Sequence, residues 1–367
     1  MKSNYDLLGN HIRLIDNRNK DLVTEQVLGI NIDKFFMPSV ANVIGTDLSK
    51  YKLIQKGNFA CNPMHVGRDE RLPVALYSED TPAIVSPAYF MFEIKDATVL
   101  NADFLMMWFR RPEFDRICWL HTDGSVRGGI TWDDICRMEI PVPPIDEQIE
   151  IVSSYQAITE RIKLKKQIND NLEATAQAIY KKLFVEDVDI SELPQDWKLT
   201  ALKNVASLSA GGDRPSVYSS FPTNICTVPI FSNGIDEEGL YGYTDKAKIF
   251  DESVTVSARG TVGYVFLREE PYVPIVRLIS VIPKTEYVTA KYLYFALASI
   301  DLHSTGTSQQ QITVPDFKQR QIVVPDRMTM DTFTKFIEPI FSKIKQNKVE
   351  IKSLLVLQAN FLALLSR

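Results

Sequence analysis

The chain has 367 residues, 45% of them hydrophobic and 24% charged, with a net charge of -5. That is enough chain for two domains with proper cores, and the composition excludes a largely disordered protein. No apolar run reaches the roughly eighteen residues of a membrane helix, and the polar start MKSNYDLLGN lacks the apolar stretch of a secretory signal, so a cytoplasmic protein without membrane contact is expected.

In chain order, residues 56–95 break β-branched and aromatic runs with Gly, Pro, Asn and Asp, the texture of short strands joined by turns. One loop there carries Asn62, Arg68 and Arg71, whose amide and guanidinium groups suit contacts to DNA. Asn62-Pro63 followed by Met64 and His65 lacks the second proline and the aromatic of an amino-methyltransferase motif, and no glycine-rich cofactor loop accompanies it. Residues 101–111 predict a helix, and residues 120–143 read LHTDGSVRGGITWDDICRMEIPVP, with Ser125 and Arg127 in a glycine-bounded loop. Cys61, Cys118, Cys136 and Cys226 form no metal-binding spacing and are expected as small buried apolar residues.

Residues 145–184 predict a long helix, roughly 60 Å at 1.5 Å per residue. Ile151, Ile158, Leu172 and Ile179 recur at heptad spacing, as do Tyr155, Ile162, Ala176 and Leu183, with Lys165 and Asn169 as polar interruptions. The acidic stretch 185–197, containing Pro194, reads as a linker. Residues 228–274 repeat the strand-and-turn texture, and 289–303 predict a second short helix. Ser257, Arg259 and Thr261, in SARGTVG, are expected to hold DNA phosphates where glycines permit close approach, with Lys246 and Lys248 adding contacts nearby. Residues 329–367 predict a second long helix. Phe333, Ile340, Leu354 and Phe361 fill one column of its seam and Ile337, Ile344, Ile351 and Leu365 the other, with Asn347 and Gln358 as interruptions. The two long helices are expected to pair with each other, because each follows its own domain and their lengths match.

Residues 302–325, LHSTGTSQQQITVPDFKQRQIVVP, match residues 120–143 without a gap at a shift of 182, with nine identical pairs that include His121/His303, Thr131/Thr313 and Asp134/Asp316. Chance would give about one or two, so the chain reads as a duplication. The paired loops differ where they would read bases. The first offers Ser125 and Arg127, and the second offers Thr307, Ser308, Gln309, Gln310 and Gln311. Arginine presents a fork to guanine, and glutamine a matched donor and acceptor to adenine. His121 and His303 are expected as buried packing residues. A six-residue insert near Pro112–Arg116 in the first copy has no assigned role.

No catalytic residues, metal ligands or phosphate loop emerge; GGDRP at 211–215 lacks the Lys-Ser/Thr pair. Residues 1–144 carry -3, 185–328 carry -5 and 329–367 carry +3, so DNA contact has to come from local clusters. A non-catalytic coiled-coil protein adaptor is the alternative.

The duplicated unit, the SPAYFMFEIK and LISVIPK strands, VPIFSNGIDEEGLYGYTD, SARGTVGYV, GTSQQQIT before VPD, IPVPPIDEQIEIVSSYQAITERI and LPQDWKLTALKNVASL together resemble the specificity subunits of Type I restriction-modification enzymes over essentially the whole chain. The resemblance implies an α+β fold: two repeated target-recognition domains of mixed short strands and helices, separated by two long antiparallel coiled-coil helices. The domains would be 1–144 and 185–328, the latter with linker 185–197, and the helices 145–184 and 329–367. Each domain would read one half of a bipartite, asymmetric double-stranded DNA site, with the helices as a ruler. A rod longer than one DNA turn, roughly 34 Å, implies that the domains dock away from its tips. Two methyltransferase subunits would bind this chain and carry the S-adenosylmethionine chemistry, and translocating endonuclease subunits can join. A specificity component of a related Type II-like enzyme shares the same features.

Overall fold

The computed structural model describes residues 5–40, 45–64, 66–122, 128–186, 188–300 and 311–365. The chain divides into two compact units, Met1–Lys165 with Val349–Arg367, and Lys166–Lys348.

Both units are α+β and use one frame. In the first, an antiparallel sheet runs in the order Ile12–Leu14, Phe90–Ile94, Phe59–Cys61, Val74–Leu76. In the second, the same order is filled by Ala206–Ala210, Ile279–Pro283, Ser253–Val256 and Val265–Arg268. A second sheet joins Val27–Ile30 in parallel to Ala83–Val85, as Val228–Phe231 joins Val273–Pro274. Its fourth strand in the first unit, Lys52–Ile54, shrinks to a single bridge between Ile249 and Tyr272 in the second. A ribbon of two strands completes each unit, Tyr5–Leu7 with Glu139–Pro141 and Lys198–Ala201 with Gln321–Val324. The duplication read from one segment therefore extends through the whole unit.

Local chemistry explains where the helices start. Asn101 caps the helix Ala102–Phe109 by accepting from Phe104 N at 3.0 Å, and Thr289 caps Ala290–Ala298 by accepting from Tyr292 N at 3.2 Å. Both helices are nearly all apolar and bury most of their side chains, as a helix enclosed by its domain should. In the first core Phe59 stacks on Phe92 at 5.1 Å with Phe109 edge-on to both. In the second, Tyr180, Phe184, Tyr292, Phe295 and Phe333 form one aromatic cluster. Burial pushes the Tyr180 hydroxyl up to about 12.

The insert of the first unit is the helix Pro112–Leu120, with proline at its start. It buries Phe114 and Cys118 and supplies Asp115 to the core. Asp115 accepts from Lys34 Nζ at 2.8 Å and from Leu72 N at 3.1 Å, while Lys34 also donates to the Phe109 carbonyl and sits over the Phe114 ring at 4.7 Å. Burial pulls the Lys34 ammonium below its ordinary value, and the Asp115 carboxylate opposes that.

His121 departs from expectation. It follows the insert helix, is exposed, and places Nδ1 3.9 Å from Asp134, because the turn after Leu120 points it outward; His303 lies outside the described residues. Cys61, Cys118 and Cys226 are buried and Cys136 half-buried, and burial pushes the Cys61 thiol up to about 12.

The long helices are Ile145–Phe184 and Arg327–Leu364. Near the start of the first, the fully buried Gln148 accepts from Asn101 N at 2.8 Å and donates to the carbonyls of Val99 and Pro143 at 2.9 and 2.7 Å. The second starts on Asp326, which accepts from Thr329 N at 3.0 Å and from its hydroxyl at 2.6 Å. Among the described residues no helix is long and apolar enough to cross a membrane.

Candidate nucleic-acid interface

In each unit the structure brings the two predicted loops side by side. In the first, Ile130 N donates to the Pro63 carbonyl at 3.1 Å and Gly67 N to the Gly128 carbonyl at 3.0 Å. The approach needs glycine at 129, where a Cβ would stand 2.9 Å from the Pro63 oxygen. In the second, Ile312 N donates to the Ala258 carbonyl at 3.1 Å. Ile130 and Ile312 are matching positions of the repeat, so the same join is made twice. Ser125, Arg127, Thr307, Ser308, Gln309 and Gln310 lie outside the described residues; Gln311 is exposed beside the second join.

The first unit's remaining candidates are engaged with neighbours. Asn62 accepts from Met64 N at 3.1 Å in a local turn. Arg68 forks onto Asp69 at 2.6 and 2.9 Å, and Arg71 reaches Asp33 at 3.0 Å. Both arginines are exposed, so these pairs are weak and open to competition from a phosphate.

In the second unit two expectations need correction. Ser257 is fully buried, and its backbone pairs with Tyr264 and Gly263. It cannot reach a phosphate. Thr261 is half-buried, and its hydroxyl donates to the Asn233 carbonyl. Ser257 builds the loop from inside, and Thr261 spends its hydroxyl proton within the loop, because the turn between Val256 and Val265 has to satisfy its own polar groups. Arg259 stands exposed at the tip beside Gly260, whose φ of 70° is ready for glycine. Lys246 and Lys248 are also exposed, and Lys248 Nζ lies 4.0 Å from where a Cβ on Gly212 would stand.

The sequence reading missed Asn233. Its side chain accepts from Ala258 N at 2.8 Å and donates to the Val276 carbonyl at 2.7 Å, while its own carbonyl takes the Thr261 hydroxyl. It thus ties the Arg259 loop to the turn at 275–278. The Asn-Gly pair at 233–234 marks a turn in sequence, but nothing local points to these distant partners. Arg268 was also missed. It is buried, stacked on Phe231 at 3.6 Å, and donates to the Glu238 carbonyl at 2.6 Å, with burial pulling it down to about 10.

Along the central helix Ile151, Ile158, Ile162, Leu172, Ile179 and Leu183 are buried or half-buried, as are Ile337, Ile340, Ile344, Ile351, Leu354, Phe361 and Leu365 along the C-terminal helix. Within the first unit Glu350 pairs with Arg161 at 2.5 Å and Lys165 at 2.7 Å, and Gln358 donates to Thr159 at 2.7 Å. Within the second, Asn347 donates to Asn169 at 2.8 Å, and the Phe184 ring meets Phe333 at 5.2 Å. Numbers rise on one helix as they fall on the other, so the segments run antiparallel. An amide pair such as Asn169–Asn347, with Asn347 buried and Asn169 half-buried, penalises slipped registers, which would leave it unpaired.

The family described as Type I restriction modification DNA specificity domain matches residues 194–354. A Mycoplasma pneumoniae protein assigned as a type I specificity subunit is 28% identical over 66% of this chain, and the match spans 65% of that relative's length. A second M. pneumoniae chain, assigned as the C-terminus of such a subunit, is 36% identical over 27% of this chain and 68% of its own length. The crystal structure of a Type I restriction-modification S subunit from M. genitalium superposes with a TM-score of 0.60 at 15% identity, covering 98% of this chain and 95% of that one. At that identity the likeness is one of fold.

Proposed function

The chain belongs to the family of Type I restriction-modification specificity subunits, and from that premise we propose that it is a non-catalytic, cytoplasmic reader of double-stranded DNA in which each unit recognises one half of a bipartite, asymmetric site. The observation that carries this reading is the repeated join of two loops on one frame, at Ile130–Pro63 and Ile312–Ala258. A frame copied with its topology intact, but with different side chains on its loops, is what two readers of different half-sites require. Arg127 in the first unit and Gln309, Gln310 and Gln311 in the second are the base-reading candidates, with Arg68, Arg71, Lys246, Lys248 and Arg259 toward phosphates. The paired helices set the spacing between half-sites and dock two methyltransferase subunits, which carry the S-adenosylmethionine chemistry; endonuclease subunits join the same core. The acidic balance of the chain fits this division, because partners then supply part of the phosphate neutralisation.

A binding titration tests it. The purified chain with its methyltransferase subunit should bind one duplex sequence selectively, with affinity falling steeply as salt rises. The isolated chain should bind weakly and without sequence preference. Absence of duplex binding at low salt in both preparations, or methylation by the chain alone, would refute the assignment.

A further inference from the structure

Residues 275–278 of the second unit form a turn closed by Leu278 N donating to the Ile275 carbonyl at 3.0 Å. Its central residues are both left-handed, Val276 at φ 51° and Arg277 at φ 62°. This is the geometry of a type I′ turn, which favours glycine and asparagine. A β-branched valine there is strained, and such strain persists only where the surroundings over-determine it. They do so here. Ile275 N donates to the Phe231 carbonyl at 2.9 Å, Val276 N to Gly212 at 2.9 Å and Arg277 N to Gly211 at 3.1 Å. Asn233 takes the Val276 carbonyl from the other side at 2.7 Å. Gly211 comes so near that a Cβ would stand 2.7 Å from Ile275 N.

These hydrogen bonds hold the turn, and burial of its two central side chains does not. Val276 is 52% exposed and Arg277 is exposed too. Among the described residues the Arg277 side chain has no hydrogen bond or ion pair. The first unit has a four-residue turn in the same place: Tyr89 N donates to the Ser86 carbonyl at 3.1 Å, directly before Phe90–Ile94, as Leu278 directly precedes Ile279–Pro283. There the central residues are Pro87 and Ala88, neither left-handed and neither charged. The frame therefore does not demand the strained form; the second unit alone adopts it, and presents a cation with it.

We propose that Arg277 reads a base in the second unit's half-site, its Cα fixed by the strained turn so that its guanidinium forks onto a guanine edge, with Asn233 as the positioning residue that fixes this turn against the Arg259 loop. The inference rests on the reading that this unit binds DNA. A phosphate contact tolerates a mobile side chain, whereas bidentate contact with guanine needs a forked group at a fixed origin.

The test is sequencing of methylated sites in cells expressing the full chain with its methyltransferase subunit. Arg277→Ala should relax one position of one half-site, by roughly 5- to 150-fold in preference, and leave the other half-site and the gap unchanged. Arg277→Lys should relax the same position, since lysine lacks the fork. Asn233→Asp, which keeps the acceptor for Ala258 N but loses the donor to Val276, should do likewise. An unchanged motif in Arg277→Ala, a uniform loss across all sites, restoration of the wild-type motif by Arg277→Lys, or relaxation at a different position in Asn233→Asp overturns the assignment. A wild-type chain that yields no two-part motif overturns the underlying function itself, and that outcome is distinct from all of these.

Discussion

In the first unit Arg68 forks onto Asp69 and Arg71 reaches Asp33, while in the second Arg259 and Arg277 meet no carboxylate among the described residues. The sheets beneath them have the same strand order. Two residues past the parallel pairing of the second sheet, the first unit has Ile30 and the second has Asn233, and only the amide can join two loops. Duplication kept the frame and left the polar surface free to diverge.

The largest effect should fall where the units are alike. Ile162→Asp in the first unit and Ile344→Asp in the second each place a charge at a position 7% exposed. Each should cost on the order of 3–5 kcal/mol in denaturant unfolding; a large asymmetry would break the idea of a shared helical seam. A smaller effect should separate the helix starts. Gln148 and Met330 stand at matching positions 182 apart, both buried, one polar and one apolar. Gln148→Met leaves Asn101 N and two carbonyls unpaired and should cost about 3 kcal/mol, against less than about 1.5 kcal/mol for Met330→Leu. Equal costs would show that the amide is not what holds the first helix start.

The charge difference gives a weaker signal. Asp33→Asn frees Arg71 and should tighten DNA binding by the methyltransferase complex by up to about fivefold, the worth of an exposed pair; weaker binding would mean the pair orients Arg71 for DNA. Smallest is a pH effect confined to the second unit. The Thr329 hydroxyl and backbone hold the Asp326 carboxyl below its ordinary value. Its contribution is therefore complete above the ordinary carboxylate range and is lost as pH falls through the lowered value. Asp326→Asn keeps an acceptor for Thr329 N but loses the oxygen that takes the Trp197 Nε1 hydrogen at 2.9 Å, so it should cost roughly 0.5–1 kcal/mol at neutral pH while the acid sensitivity of the second unit diminishes. The first unit has Pro144 at that position and no such titration. Unfolding followed at neutral pH and near pH 3 checks this; an unchanged acid midpoint would count against it.

Periodic and repeated features were legible in the sequence because they depend on local spacing. The seams at Ile158 and Ile340 follow heptads. The identical pairs Thr131/Thr313 and Asp134/Asp316 turn out to be caps, where Thr131 and Thr313 accept from Asp134 N and Asp316 N at the starts of two short helices. The loop chemistry was less legible. Ser257 looks like a surface hydroxyl in sequence yet is buried, and His121 looks like a packing residue yet is exposed. The left-handed pair at Val276 and Arg277 carries no local signal, since neither residue favours positive φ; distant partners at Gly211, Gly212 and Asn233 impose it.

Whether each unit reads its own half-site on a common frame is tested most directly by replacing residues 198–324 with the corresponding residues of a family member of different specificity, then sequencing methylated sites in cells that also express the methyltransferase subunit. One half of the motif should change while the other half and the gap persist. A change in both halves, or loss of all methylation while the complex still assembles, would contradict the account.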